Sequence, residues 1–253
     1  RKDDWVAWGQ RGMVKFIQPF WQWLRIRTPR PPYDQQYYWD KVYLDTRGRN
    51  LEWGEISVPD LVRYKYGAPL PEGEFLMRSK KEGSLEEHIK RDDSVVVLGC
   101  GNSSLSEDLR EAGWRGKITS VDFSPFSVES IKARAEVKGL PDMEWLTADV
   151  RELHAHMPPS SVDVALDKGC LDAIYCSPKS DDNVNAVKGA VLRVLKPGGR
   201  WVCLMNAGFL GAIPPTHVES LVGDSRWRSI EVRRLAPLSS GLYLYVWTKG
   251  GSK

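Results

Sequence analysis

Four short stretches of the chain carry the residue types that hold a nucleoside. In Leu98-Gly99-Cys100-Gly101-Asn102-Ser103-Ser104, a Gly-x-Gly turn directly follows an apolar run. Such a turn lets backbone approach a ligand closely, and the helix that opens after it offers unpaired N–H groups. Ser104 stands where the dinucleotide fingerprint has its third glycine, which argues against NAD or FAD. Ser120-Val121-Asp122-Phe123 comes next, with Asp122 standing 23 positions after Gly99. A carboxylate there can accept both ribose hydroxyls, and it can also cap a helix starting at Pro125. Leu146-Thr147-Ala148-Asp149-Val150 puts a further carboxylate where it can accept from an adenine amino group or cap the next turn. Val162-Asp163-Val164-Ala165-Leu166-Asp167-Lys168-Gly169 supplies the last fragment. Each fragment is ordinary alone; their order and spacing specify a nucleoside site.

The elements that must position these residues alternate clearly. Ser94 to Leu98 is an uninterrupted β-branched and aliphatic run, the pattern of a strand buried in a parallel sheet. Helices are expected over 104–112, over 125–138 with proline at the first position, and over 183–195. Strands are expected over 117–122, 143–147, 162–167 and 200–205, with Leu195 to Gly199 a helix stop and turn before the last. Trp227 to Leu235 and Leu242 to Thr248, separated by a turn over Pro237 to Gly241, read as a closing hairpin. Alternating strands and helices ending in an antiparallel pair predict an α/β, doubly wound Rossmann-like sheet.

Three zones follow. Residues 1–33 form an aromatic and basic arm, 34–93 an N-terminal cap region, and 94–253 the α/β domain. Within the cap, the first part reads as helical, and Ser84 with Glu87 reads as a capping box for a short helix leading to Lys90. The first 30 residues hold seven basic against two acidic side chains, +5, so with a total of +3 the remainder carries −2. Trp5, Trp8, Trp21 and Trp23 lie among those basic residues, and a helix from Met13 would be interrupted at Pro19. The arm therefore suits packing on its own domain, a partner subunit or a membrane surface, with nucleic acid less favoured. No run approaches the ~20 apolar residues of a transmembrane helix. Cys100, Cys170, Cys176 and Cys203 are scattered, which favours a reducing intracellular compartment. The basic arm and the opening Arg1 lean towards the mitochondrion. His154 and His156 could share one face of a strand, but without further ligands they make no metal site, and none is expected.

With these residues in place, the sequence resembles the class I, seven-stranded S-adenosylmethionine-dependent methyltransferases over residues 94–250. The resemblance implies six parallel strands and one antiparallel strand. It places S-adenosylmethionine, whose product is S-adenosylhomocysteine, over Gly99, Cys100, Gly101, Asn102, Asp122, Phe123, Asp149, Val150 and Asp167. Val97 to Ser103, Thr119 to Ser124 and Asp167 to Ala173 are closest to the methyltransferase-like subfamily containing the lysine methyltransferases of elongation factor 1-alpha. Leu242-Tyr243-Leu244-Tyr245 and Tyr38-Trp39-Asp40-Lys41 are similar too, whereas residues 63–90 are longer than that subfamily leads one to expect. A protein-lysine acceptor is therefore implied, with Asp167 and Asp172 flanking the mouth and able to bind its amine. Alternatively, Asp167 ends a strand and Asp172 caps the next helix. Pro214 and Pro215 fall where such enzymes receive acceptors. Cys170 reads as a packing residue rather than a nucleophile. Asp167-Lys168-Gly169-Cys170 replaces the Asn/Asp-Pro-Pro-Tyr tetrapeptide of enzymes that methylate adenine or glutamine amines. The competing expectation is a catalytically silent methyltransferase-fold subunit of a larger, membrane-associated assembly, its arm docked on a partner.

Overall fold

Strand β1, Val95–Leu98, is buried at all four positions. It separates two layers of core, since side chains alternate across a strand. Val96 and Leu98 join one apolar cluster, with Trp201, Tyr245 and Trp247. Val95 and Val97 join the other, with Leu109, Trp114 and Ile131. Covered faces on both sides explain why the strand reads as continuous Val and Leu rather than as an alternating pattern.

A computed structural model describes residues 31–46, 49–51, 85–206, 224–234 and 242–251. Helix α1, Gln36–Thr46, belongs to the cap. After β1 come α2, Leu105–Glu111, and β2, Ile118–Asp122. Then follow α3, Pro125–Val137, β3, Met143–Thr147, and the short α4, Leu153–His156. Strand β4 is Val162–Lys168, helices α5 and α6 are Cys170–Tyr175 and Ser180–Val194, and β5 is Leu195–Asn206. Strands β6, Trp227–Arg234, and β7, Leu242–Lys249, close the sheet. The order is β3-β2-β1-β4-β5-β7-β6, with seven strands. β7 runs antiparallel to both its neighbours, and the β1–β2, β1–β4, β2–β3 and β4–β5 pairs are parallel. Strand order reverses between β1 and β4, so the crevice past their carboxyl ends is the place where such sheets take ligands.

Four local expectations change. Leu195 already pairs with Val162, and pairing resumes at Arg200 with Val164 across a register shift, so the Lys-Pro-Gly-Gly turn is an irregularity within β5. Helix α6 starts at Ser180, three residues earlier than its apolar pattern suggests, with Asp181 and Asp182 in its first turn. His154 and His156 lie on α4, not on a strand, and residues two apart on a helix do not share a face. The capping-box helix is a single 3-10 turn, Leu85–Glu87, followed by the buried His88 and Ile89; Ser84 lies outside the described residues. Residues 1–30, the turn over 237–241, Pro214, Pro215 and most of 63–90 lie outside them as well. Among the described residues no helix is long and apolar enough to cross a membrane.

Candidate functional site

At the β1/β4 crevice lies a cavity of ≈ 390 Å³, within the ordinary size range of ligand sites. Its floor is the turn after β1. Gly99 and Gly101 adopt φ +54 and +53, a region that side chains with a Cβ rarely enter. Space forbids a side chain there too. A Cβ at Gly99 would sit 2.6 Å from Cys170 Sγ, and one at Gly101 would sit 2.9 Å from the Tyr43 hydroxyl. Backbone is therefore presented bare to whatever occupies the cavity.

Asp122 ends β2 at 3% exposure and lines the cavity. Its Oδ2 accepts the Gly101 N–H (2.9 Å) and its Oδ1 the Ser124 N–H (2.9 Å). Burial raises its pKa to about 6, and the two amide hydrogen bonds oppose that shift. The cap of α3 is Ser124, while Asp122 holds the turn before it. Phe123 and Val150 line the same end of the cavity. There Asp149 caps the 3-10 turn Val150–Glu152 by accepting the Arg151 N–H at 2.9 Å. The Arg151 guanidinium forks onto both Asp149 oxygens and also reaches Asn183 Oδ1. The capping role expected of Asp149 is thus present, with its charge neutralised by a neighbour that also lines the cavity.

Asp167 and Asp172, expected at the mouth, stand apart from the cavity lining among the described residues. Asp167 is fully buried, and its carboxylate accepts the N–H groups of Cys170 and Leu171. It therefore caps α5, the role that Asp172 was expected to fill. Asp172 is instead a half-buried residue in the first turn of that helix. Burial raises the Asp167 pKa to about 7, with Asp172 adding repulsion. The capped helix carries Cys170 against Gly99, so Asp167 shapes the floor at one remove. Burial pushes the Cys170 and Cys100 thiols up, which keeps them protonated and unreactive and accords with packing.

The roof comes from the cap and from Tyr33 just before it, and was not singled out from spacing. Tyr33, Asp34, Tyr38, Trp39, Tyr43 and Leu51 line the cavity. The Trp39 indole N–H donates to the Tyr33 carbonyl at 2.7 Å, and Trp39 stacks on Tyr43 with centroids 5.8 Å apart. The Ser124 hydroxyl donates to Asp40, tying α1 to the end of β2. Asn102 lines the cavity, yet its side-chain amide bonds to the cap at Thr46, Arg49 and Leu51. Lys168, also missed, lines the wall at the end of β4. The Tyr38-Trp39-Asp40-Lys41 stretch was the sequence signal for the roof, but nothing local to it says which element it covers. Among the described residues no group of three His, Cys, Asp or Glu could hold a metal ion.

Known proteins resemble this chain over the region that holds the cavity. The family described as "Methyltransferase domain" matches residues 89–218. Mouse "EEF1A lysine methyltransferase 4" is 34% identical over 200 residues, spanning 72% of this chain and 68% of that protein. The human "eEF1A lysine and N-terminal methyltransferase" is 31% identical over 172 residues, which are 67% of this chain but only 21% of that longer relative. In fold, a SAM-dependent methyltransferase from Methanosarcina mazei superposes with a TM-score of 0.50 at 17% identity, over 66% of this chain and 97% of its own.

Proposed function

The chain belongs to the methyltransferase-domain family, and on that premise we propose that it transfers a methyl group from S-adenosylmethionine to a lysine side chain of a protein. S-adenosylmethionine is the cofactor of this family and fold. The residues present fit it. Two positive-φ glycines have no room for a Cβ, a buried carboxylate ends β2, and a second carboxylate follows β3.

When bound, the cofactor supplies an electrophilic methyl group on its sulfonium, so the protein must align donor and acceptor and exclude water. Asp122 would accept the ribose hydroxyls, held in place by the Gly101 and Ser124 amides. Asp149, with Arg151 across it, would meet the adenine edge, and Phe123 and Val150 would flank the base. Trp39 and Tyr43 would close over the cofactor from the cap. An acceptor lysine must arrive neutral, and desolvation beneath the aromatic roof would favour the uncharged amine.

The observation that carries this reading is the meeting of Gly99, Gly101, Asp122 and Asp149 in one cavity under the cap. The choice of lysine rests on the relatives named above, two of which are named for elongation factor 1-alpha. That factor is accordingly the first acceptor to test. Calorimetric titration with S-adenosylmethionine and S-adenosylhomocysteine comes first, with Asp122→Ala as control. Methyl-labelled cofactor and purified elongation factor 1-alpha follow, with mass spectrometry of the lysines. No cofactor binding would sink the enzyme; binding with label on another residue type would move the acceptor.

For residues 1–33 we infer a docking arm, on the strength of their basic and Trp-rich composition, and a mitochondrial setting. Deleting residues 1–30, which spares Tyr33 in the cavity wall, should release the protein from its partner or membrane while leaving cofactor affinity unchanged. Cell fractionation with and without the arm reads out both points.

A further inference from the structure

Helix α1 has no buried residue, although its aromatic side chains roof the cavity. The helix is at most half-buried, so polar contacts from the cofactor loops help to seat the cap. Asn102 makes most of them. It is 2% exposed, its Nδ2 donates to the Arg49 carbonyl (2.6 Å) and Thr46 Oγ1 (3.3 Å), and its Oδ1 accepts the Leu51 N–H (3.0 Å). Thr46 Oγ1 in turn donates to the Tyr43 carbonyl at 2.8 Å. A hydrogen-bonded chain thus runs from the glycine turn, through the end of α1, to the residue whose hydroxyl stands over Gly101. Arg134 fixes the other side of the same turn, donating to the Asn102 and Ser103 carbonyls at 3.0 and 2.9 Å.

We propose that Asn102 is a positioning residue. Its side chain does not bind the cofactor but seats Thr46, Arg49 and Leu51 on the glycine turn, and so places Tyr43 over the cofactor. The chemistry requires an amide. Carboxylate offers no donor for Arg49 and Thr46, and alanine leaves the Leu51 N–H and the Arg49 carbonyl without this partner. Cap seating and cofactor binding then share one free energy. A ligand held beneath Tyr43 favours the seated cap, and a seated cap tightens the ligand, by the same factor. The inference rests on the cofactor reading and is independent of the acceptor.

The test uses the full chain and S-adenosylhomocysteine, titrated calorimetrically into wild type, Asn102→Ala, Asn102→Asp, Tyr43→Ala and the Asn102→Ala/Tyr43→Ala double variant. Both Asn102 variants should weaken binding about tenfold. In the Tyr43→Ala background the Asn102→Ala loss should vanish, because the residue through which it acts is gone. A purely structural asparagine would give losses that multiply, and that result, or wild-type affinity in Asn102→Ala, overturns the proposal. If the Asn102 variants do not fold, Thr46→Val breaks the same chain from the cap side without touching the turn. It should lose affinity in the wild-type background and none in Tyr43→Ala, and unchanged affinity in the former overturns the proposal. A wild-type chain that binds no cofactor removes the premise, a result readily distinguished from an intact wild type with an indifferent Asn102.

Discussion

The Oδ2 of Asp122 accepts the backbone N–H of Gly101 at 2.9 Å, joining the end of β2 to the turn after β1. The carboxylate that would receive the ribose is therefore also a brace for the backbone under it. Loss of the one disturbs the other.

Asp122→Ala should accordingly weaken S-adenosylhomocysteine binding by at least tenfold, since a hydrogen bond to a charged group contributes ~1.5–3 kcal/mol. The wild-type profile should also depend on pH. The Asp122 pKa is raised to about 6 by burial, so affinity should fall as pH drops through 6 and the acceptor is protonated. Asp122→Asn should bind more weakly and lose this inflection. Titrations between pH 5 and 8 read out both effects.

Gly99→Ala places a Cβ 2.6 Å from Cys170 Sγ at a backbone φ of +54. Left-handed strain of ~1–2 kcal/mol and overpacking of ~1–3 kcal/mol should lower stability together. Adding Cys170→Gly should recover the packing part and leave the strain. Urea denaturation of the two variants separates the contributions.

The pH dependence of stability should carry the signature of Asp167. Its folded pKa is raised to about 7 by burial, above the unfolded carboxylate value of ~3.9. The folded state then binds the proton more tightly, so the stabilisation is fully present below about pH 4 and is lost as pH rises through about 7. Asp167→Asn keeps an acceptor for the Cys170 and Leu171 amides and has no charge to bury. Its stability relative to wild type should increase from pH 4 to pH 8 by an amount on the order of a few kcal/mol. Equal wild-type and variant pH profiles in thermal melts would count against this.

Arg134 pairs with Glu107, whose side chain is 1% exposed, at 2.8 Å, and also grips the glycine turn. Arg134→Ala should cost ~3–5 kcal/mol, because it strands a buried carboxylate. Arg134→Met with Glu107→Gln should recover much of that stability. It should not recover cofactor affinity, since the Asn102 and Ser103 carbonyls still lack the guanidinium. Chemical denaturation beside calorimetry distinguishes the two effects.

The sheet was legible because a strand buried on both faces must be apolar throughout, as Val95–Leu98 is, and because Gly-x-Gly, Asp122 and Asp149 recur at the strand ends where ligands bind. These are local constraints, set by backbone sterics and by burial, and a linear sequence states them directly. The local cap at Asp149 was legible, but the longer-range hydrogen-bonding uses of the polar side chains were not. Asp167 and Asp172 are five residues apart on β4 and α5, and only the direction in which the chain turns at Gly169 buries the first beneath the helix amides. Asn102 occupies a position that reads as cofactor-binding, yet its side-chain partners lie more than 50 residues upstream. Tyr43 and Trp39 became a roof only when α1 packed over the β1/β4 crevice. Long-range polar pairing has no period and no fixed spacing, so it is decided by the tertiary fold alone.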